Sequence, residues 1–144
     1  MNLRAAFLAQ EAIQNSDGTF MVWRGGVDNF GVLTFPALLH VYVVLRFEAD
    51  AEESRQLYRL RMRVTHQTVE GSWQEIPIAF KEPPSPDQKS YLNLLMNVNF
   101  GVRGPGPGRV EVAIDDVLIA PALAFQVNQM QPPPGFPLPP RAAG

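Results

Sequence analysis

The stretch Leu57-Tyr-Arg-Leu-Arg-Met-Arg-Val-Thr65 alternates apolar and polar residues without interruption. One set consists of tyrosine, leucine, methionine and valine, and the other contains Arg59, Arg61 and Arg63. Successive side chains of a β-strand point to opposite faces, whereas a helix would spread the arginines around its circumference. The stretch therefore predicts a strand with one buried and one solvated face.

The same period of two recurs in segments 41–47, 75–80, 92–100 and 110–115. Turn residues separate such segments, including Asn15-Ser16-Asp17-Gly18 and Asp115-Asp116. We also expect strands on either side of the first turn and after the second, the last at about 117–127. About eight short strands predict an all-β fold, an antiparallel β-sandwich of Greek-key or jelly-roll type.

The length of 144 residues and the hydrophobic content of 46% suit one domain, which we assign to residues 1–130. Residues 131–144 are rich in proline and predict an extended, flexible tail with two apolar side chains, Phe136 and Leu138. Alternating glycine and proline in segment 101–108 predict a loop, since neither residue favours the interior of a strand.

The charge balance limits the kinds of partner that the protein could attract electrostatically. Charged residues make up 18% of the chain and the formal net charge is −2, which gives no electrostatic basis for binding nucleic acid or an anionic membrane. The absence of cysteine excludes disulfides and thiolate chemistry. No segment has the roughly 18 consecutive apolar residues of a membrane span. We expect a cytoplasmic protein without a cofactor.

No motif indicates catalysis or a metal site. The chain lacks a Gly-x-Ser-x-Gly motif, and its two histidines, His40 and His66, stand 26 positions apart without a nearby carboxylate pattern. We expect His40 to be a hydrogen-bonded sheet residue and His66 to lie at the surface. The sequence therefore predicts that the protein is not an enzyme.

The arginines of the first stretch form a column on one strand face, about 7 Å apart. As a functional feature, Arg59, Arg61 and Arg63 would bind an acidic partner or an anion. The alternative is an ordinary solvated face on which they pair with Glu75, Glu111 or Asp115 of neighbouring strands. Cross-strand pairing and the lack of net positive charge favour the second interpretation.

A second polar column combines asparagines with an aromatic residue, as in sugar-binding faces. Its members would be Tyr91, Asn93, Asn97 and Asn99, with Trp73 as a further contact. The alternative is the wet outer face that antiparallel sheets commonly have.

The order of these features resembles a bacterial family of small proteins classed as a domain of unknown function. The resemblance covers residues 3–127 and is carried by turns, glycines and alternating strands: Phe7-Leu8-Ala9-Gln10-Glu11-Ala12, Asp17-Gly18, Gly25-Gly26, Gly108-Arg-Val-Glu-Val-Ala-Ile-Asp115 and Pro121-Ala-Leu-Ala-Phe-Gln-Val127. It implies a single β-sandwich domain and carries no catalytic residues.

Our main hypothesis is a structural or interaction protein that forms homo-oligomers, or binds another protein, through strand edges and its tail. Low charge content, expected edge strands such as the one containing Pro77, and a tail with isolated apolar residues favour it. The alternative is a module that binds carbohydrate or another small ligand.

Overall fold

The computed structural model describes residues 1–119, 122–132 and 134–135. In these residues the predicted all-β class is confirmed, and no helix there is long and apolar enough to cross a membrane. The strands, more numerous than expected, are β1 Asn2–Gln14, β2 Phe20–Gly25, β3 Asn29–Val32, β4 Ala37–Ala49, β5 Leu57–His66, β6 Val69–Glu70, β7 Gln74–Ala79, β8 Ser90–Val102, β9 Gly106–Ile114, β10 Val117–Leu118 and β11 Leu123–Gln129, with a 3₁₀ helix at Glu53–Arg55.

The strands form two sheets that share one hydrophobic core. Sheet A has the order β2-β1-β4-β8, and sheet B has the order β3-β11-β9-β5-β6, with β7 also paired to β5 and β10 to β9. Among the described residues, all strand pairs are antiparallel except β3 with β11. Leu45 and Phe47 of sheet A and Leu60 and Val110 of sheet B are at most 1% exposed. The two sheets therefore pack as in a β-sandwich.

The hairpin of β1 and β2 leaves the plane of sheet A. Pairing of β1 with β4 ends at Ala9, opposite Tyr42. The side-chain amide of Gln14 nevertheless donates to the carbonyl of Asn93 on β8, although β4 separates β1 from β8. A straight β1 would end at the opposite end of β4, about 30 Å from Asn93. The hairpin therefore turns back across the outer face of sheet A.

This turn creates a second, smaller hydrophobic cluster outside the main core. Its buried members are Ala9, Ala12 and Val44, and Phe7, Phe20, Val22, Tyr42 and Leu95 pack against them. The side chain of Asn93 donates to the carbonyl of Gly18 and holds the hairpin tip in place. The sequence predicts the hairpin but not the layer that it adds.

The glycine- and proline-rich segment is more regular than expected, because β8 extends to Val102 and β9 begins at Gly106. Gly108 lies opposite Phe125, whose ring fills the space that a side chain at Gly108 would need. The prediction of a loop over 101–108 is therefore wrong for most of the segment. Gly108 is accommodated in a strand because its lack of a side chain allows the Phe125 ring to pack against it.

The environments of the two histidines are the reverse of those expected, since His66 is buried and His40 is exposed. His66 is 7% exposed, and its Nδ1 accepts a hydrogen bond from the amide of Thr68. Its Nε2 lies 3.1 Å from the carbonyl oxygen of Gly106, which leaves this nitrogen as the donor. His40, in contrast, is exposed on β4. His66 is buried because the start of β9 covers the end of β5.

We predict that Gly108→Ala lowers the free energy of unfolding by about 1–3 kcal/mol, as expected for overpacking. An added Cβ would overlap the Phe125 ring and lie 2.9 Å from the carbonyl oxygen of Thr65. Gly104→Ala is the matched control, since its Cβ would meet nothing nearer than 3.7 Å. Urea unfolding of both variants measures the difference, and equal stability would contradict the packing role of Gly108.

Candidate functional site

Strand β8 is an edge strand of sheet A, and among the described residues the one group that binds its outer backbone is the side-chain amide of Gln14, at the carbonyl of Asn93. All thirteen residues, Ser90–Val102, pair with β4 in continuous register. Among the described residues, no strand pairs with its other side. Such an edge exposes unpaired backbone N–H and C=O groups that can bind a further strand.

The backbone groups at this free edge can be identified from the pairing of sheet A. The carbonyl of Leu8 accepts hydrogen bonds from the chain after β2, so the backbone N–H and C=O groups of Leu8 point away from β4. Val43 lies opposite Leu8, and its backbone groups therefore point towards β8. The backbone groups of Met96, opposite Val43, therefore bond to β4. Those of the odd-numbered residues of β8 point to the free edge. These residues are Tyr91, Asn93, Leu95, Asn97, Asn99 and Gly101.

The sequence of β8 lacks the usual protection of an edge strand. Exposed edges are commonly guarded by lysine or other charges, by proline, or by a bulge. The thirteen residues of β8 contain no charged residue and no proline, and their register with β4 shows no bulge. By contrast, β7, a free edge of sheet B, contains Pro77 and Glu75.

A groove lies between the edge of β8 and strand β7. Ile76 of β7 is opposite Leu60 and so shares its core-facing side, yet Ile76 is 38% exposed and Leu60 only 1%. Two adjoining cavities of about 220 and 240 Å³ follow this side of the molecule. Their lining, which we call the flank groove, includes Leu60, Met62, Gln74, Ile76, Met96, Val98 and Phe100.

The flank groove arises because β8 is the last strand of sheet A and leaves Ile76 and Gln74 of β7 exposed, although Ile78 of the same strand is buried. Met96 of β8 and Ile76 of β7 line the same cavity from the two sheets, but neither is fully buried. A chain added to the free edge of β8 would lie over Ile76 and Gln74. The site therefore combines backbone hydrogen-bonding groups with an uncovered apolar surface.

The predicted arginine column exists on the outer face of sheet B, and its charges are paired. Arg59 lies 2.8 Å from Asp116 and 3.4 Å from Glu75, and Arg61 lies 3.0 Å from Asp116. The carboxylate of Asp115, expected to be a partner, instead accepts from the backbone amide of Arg59. The column therefore has little unpaired positive charge to attract an acidic partner.

Arg63 forms the most buried ion pair of this face. Its Nε lies 2.9 Å from the carboxylate of Glu111, which Arg109 also approaches to 2.6 Å. Burial raises the pKa of Glu111, but the hydrogen bond and charge of Arg63, followed by Arg109, outweigh it and hold the pKa below its usual value. The guanidinium of Arg63 also lies over the ring of Trp73 at 4.6 Å.

We predict that Glu111→Gln destabilises the protein by about 2 kcal/mol at neutral pH, since it removes a buried charge-assisted bond. The folded pKa of Glu111 is lowered, so this stabilisation is complete above the unfolded pKa of about 4.3 and is lost as the pH falls through the folded pKa. Chemical unfolding between pH 7 and pH 3 measures the convergence of wild type and variant.

Glu70→Gln is the control for this prediction. Glu70 also pairs with Arg63, at 3.5 Å, but its side chain is 80% exposed. Its loss should change the unfolding free energy by no more than about 0.5 kcal/mol at any of these pH values. An equal effect of both substitutions would show that burial of Glu111 is not the cause.

The residues predicted as a ligand face are divided between the two sheets. Tyr91, Asn93, Asn97 and Asn99 lie on the outer side of β8, but the β1–β2 hairpin and Arg46 engage Asn93. Trp73 lies on sheet B, under two guanidinium groups. Tyr91 lies under the guanidinium of Arg46. Only Asn97 and Asn99 of this set are exposed and without such a partner among the described residues.

Two further predictions concern the ends of the fold and metal binding. The predicted contact residues Phe136 and Leu138 lie outside the described residues. Strand β11 ends at Gln129, one residue before the expected domain boundary. In the part of the chain that the structure describes, no group of three acidic or histidine side chains is placed to hold a metal ion.

The flank groove was not predicted from the sequence, although one signal for it was present. Thirteen consecutive residues without charge or proline, in a segment that alternates as a strand, are unusual for an exposed edge. The alternation itself does not reveal whether a strand has one neighbour or two. The position of β8 at the edge is therefore known only from the structure.

Comparison with known families shows which family the chain belongs to. A model of a family of unknown function, DUF6941, matches residues 4–128, which span every strand except the first two residues of β1 and the last residue of β11. The chain belongs to this family. The resemblance to a family of unknown function, inferred from turns and strands, is thus confirmed. No curated protein matches the chain.

Proposed function

We propose that this DUF6941 member is a non-enzymatic interaction protein that self-associates through strand edges and its C-terminal tail. The observation that carries the proposal is the free edge of β8, which is thirteen residues long and has neither charge nor proline. Natural sheets avoid such an edge unless another chain or segment covers it. The partner in this proposal is a second copy of the protein.

The distribution of charge supports association through backbone and apolar groups. The arginines of sheet B are neutralised within the molecule by Glu75, Asp116 and Glu111. The net charge of −2 gives little electrostatic repulsion between copies. Self-association would therefore depend on hydrogen bonds at the edge of β8 and on burial of the flank groove, with little sensitivity to salt.

The alternative proposal, a module for carbohydrate or another small ligand, has less support. The ring of Trp73 lies under two arginine guanidinium groups on sheet B, and Asn93 is occupied by contacts within the chain. Asn97 and Asn99 are the exposed residues of this set without such a contact among the described residues, and both belong to sheet A, whereas Trp73 lies on sheet B. Sugar binding commonly uses such a ring for stacking.

We predict that Asn97→Pro weakens self-association of the full chain at least tenfold. The amide of Asn97 points to the free edge, so proline removes a donor from the interface and leaves the bonds between β8 and β4 in place. Light scattering over a range of protein concentrations measures the molar mass and hence the dissociation constant.

Asn97→Ala is the matched control, because it removes the same side chain but keeps the backbone amide. It should associate like the wild type, and circular dichroism should confirm that both variants remain folded. A wild-type chain that is monomeric at every concentration would contradict the proposed function. Equal association of the proline and alanine variants would show that the edge of β8 is not the interface.

A further inference from the structure

We propose that the flank groove binds residues 136–139 of the tail of a second copy, as an added strand beside β8. This inference rests on the proposed self-association and names the segment that fills the site. The segment reads Phe136-Pro137-Leu138-Pro139 and alternates apolar side chains with prolines. The groove offers it unpaired backbone groups on one side and an uncovered apolar surface beneath.

The position of the last described strand decides which copy supplies the tail. The amide of Met130 donates to the carbonyl of Val32, so the chain is still held against β3 at that point. Strand β3 is the edge of sheet B opposite β6 and β7. The register also places Val127 opposite Gly106, so the chain leaves the sheet beyond the start of β9.

A tail that starts there is too short to bring Leu138 to Ile76 of its own groove. Ile76 and Ile114 both lie opposite Leu60 of β5, so they are at the same level in sheet B. Ile114 is eight residues from Gly106 along β9. Val127 lies opposite Gly106, and Met130 lies three residues beyond that point, away from Ile114. Eleven strand positions correspond to about 35 Å. The eight residues from Met130 to Leu138 span at most about 29 Å when fully extended. Leu138 can therefore reach this part of the groove only on another copy.

The prolines fix the direction of the added strand. In a parallel pair, a residue of β8 such as Asn97 bonds to the two residues that flank the one directly opposite. With Pro137 opposite Asn97, the amide of Asn97 would donate to the carbonyl of Phe136 and its carbonyl would accept from the amide of Leu138. Pro137, which has no amide hydrogen, would point away from β8 and lose nothing.

The same arrangement places the apolar side chains correctly. Residues directly opposite in neighbouring strands share a face, so Pro137 would lie with Asn97 on the outer face of sheet A. Phe136 and Leu138 would then point inwards, over Met96 and Ile76. An antiparallel strand would instead turn the prolines into the groove and leave the larger side chains outside. Prolines that point outward would also prevent addition of a further strand.

Disulfide trapping tests this arrangement, because the chain has no cysteine of its own. Full chains with Asn97→Cys are mixed with full chains carrying Pro137→Cys, and the mixture is oxidised. Opposite residues of paired strands have Cα atoms about 5 Å apart, within the range of a disulfide. We expect cross-linked dimers with Asn97→Cys, or with Asn99→Cys if the register differs by one step.

Two comparisons make the trapping specific. Gln126→Cys on β11, an exposed residue of an interior strand, replaces Asn97→Cys as the background control. Cross-linking no greater than in this control at both asparagines overturns the inference. Preferential trapping of Leu138→Cys instead of Pro137→Cys overturns the parallel arrangement, since an antiparallel strand would place Leu138 opposite the asparagines.

A peptide experiment separates this inference from the proposed function. A labelled peptide of residues 131–144 is titrated against the full-chain variant Phe136→Ser/Leu138→Ser, and the same peptide with both serines is the control. We expect anisotropy to rise with the native peptide only, and Asn97→Pro in the protein to reduce the affinity at least tenfold. Equal binding of both peptides, or none, overturns the inference.

The solution mass of the Phe136→Ser/Leu138→Ser chain completes the distinction. If the tail fills the groove, this chain should be a monomer at concentrations where the wild type associates. If it associates like the wild type and no disulfide is trapped, the tail is not the occupant while self-association stands. If the wild type is also monomeric, both proposals fail.

Discussion

The burial of β4 on both of its faces is the constraint on which the rest of the structure depends. Val43 and Leu45 face the main core, Val44 faces the opposite side, and all three are fully buried. Sheet B covers the first face, but only the returning hairpin of β1 and β2 covers the second. The apolar residues on both sides of β4 thus require the hairpin to leave the plane of sheet A.

The two sheets also differ in width at the other edge of sheet A, which is formed by β8. Sheet A ends at β8, whereas sheet B continues beyond β5 to β7. The inner side of β7 is therefore uncovered at Ile76, which is exposed although its neighbour Leu60 is buried, while Ile78 of the same strand remains buried in the core. The flank groove is the result of two sheets of unequal width, and one extended segment beside β8 would cover Ile76.

Local patterns predicted the strands and the pairing of the arginines, because alternation, turn chemistry and cross-strand charge act between neighbours. Even so, the partner in the turn is Asp116 and not Asp115, since the backbone there directs the first aspartate to the amide of Arg59. The position of the hairpin and the burial of His66 follow from no such pattern in the sequence. The hairpin position depends on bonds between Asn93 and residues 75 and 79 positions away, and the burial of His66 depends on Gly106, 40 positions away. No pattern within β8 could indicate that its second neighbour is missing.

The placement of charge in the two sheets follows one physical rule. Strand β5 lies inside sheet B, where the strands on either side are fixed, and there Arg61 and Arg63 meet defined carboxylates. Strand β8 lies at an edge, where the neighbour would be another molecule, and it carries asparagines in the equivalent outward positions. An uncharged amide tolerates water when the edge is free and also tolerates a strand beside it. A charge at the same positions would keep the edge solvated and oppose association.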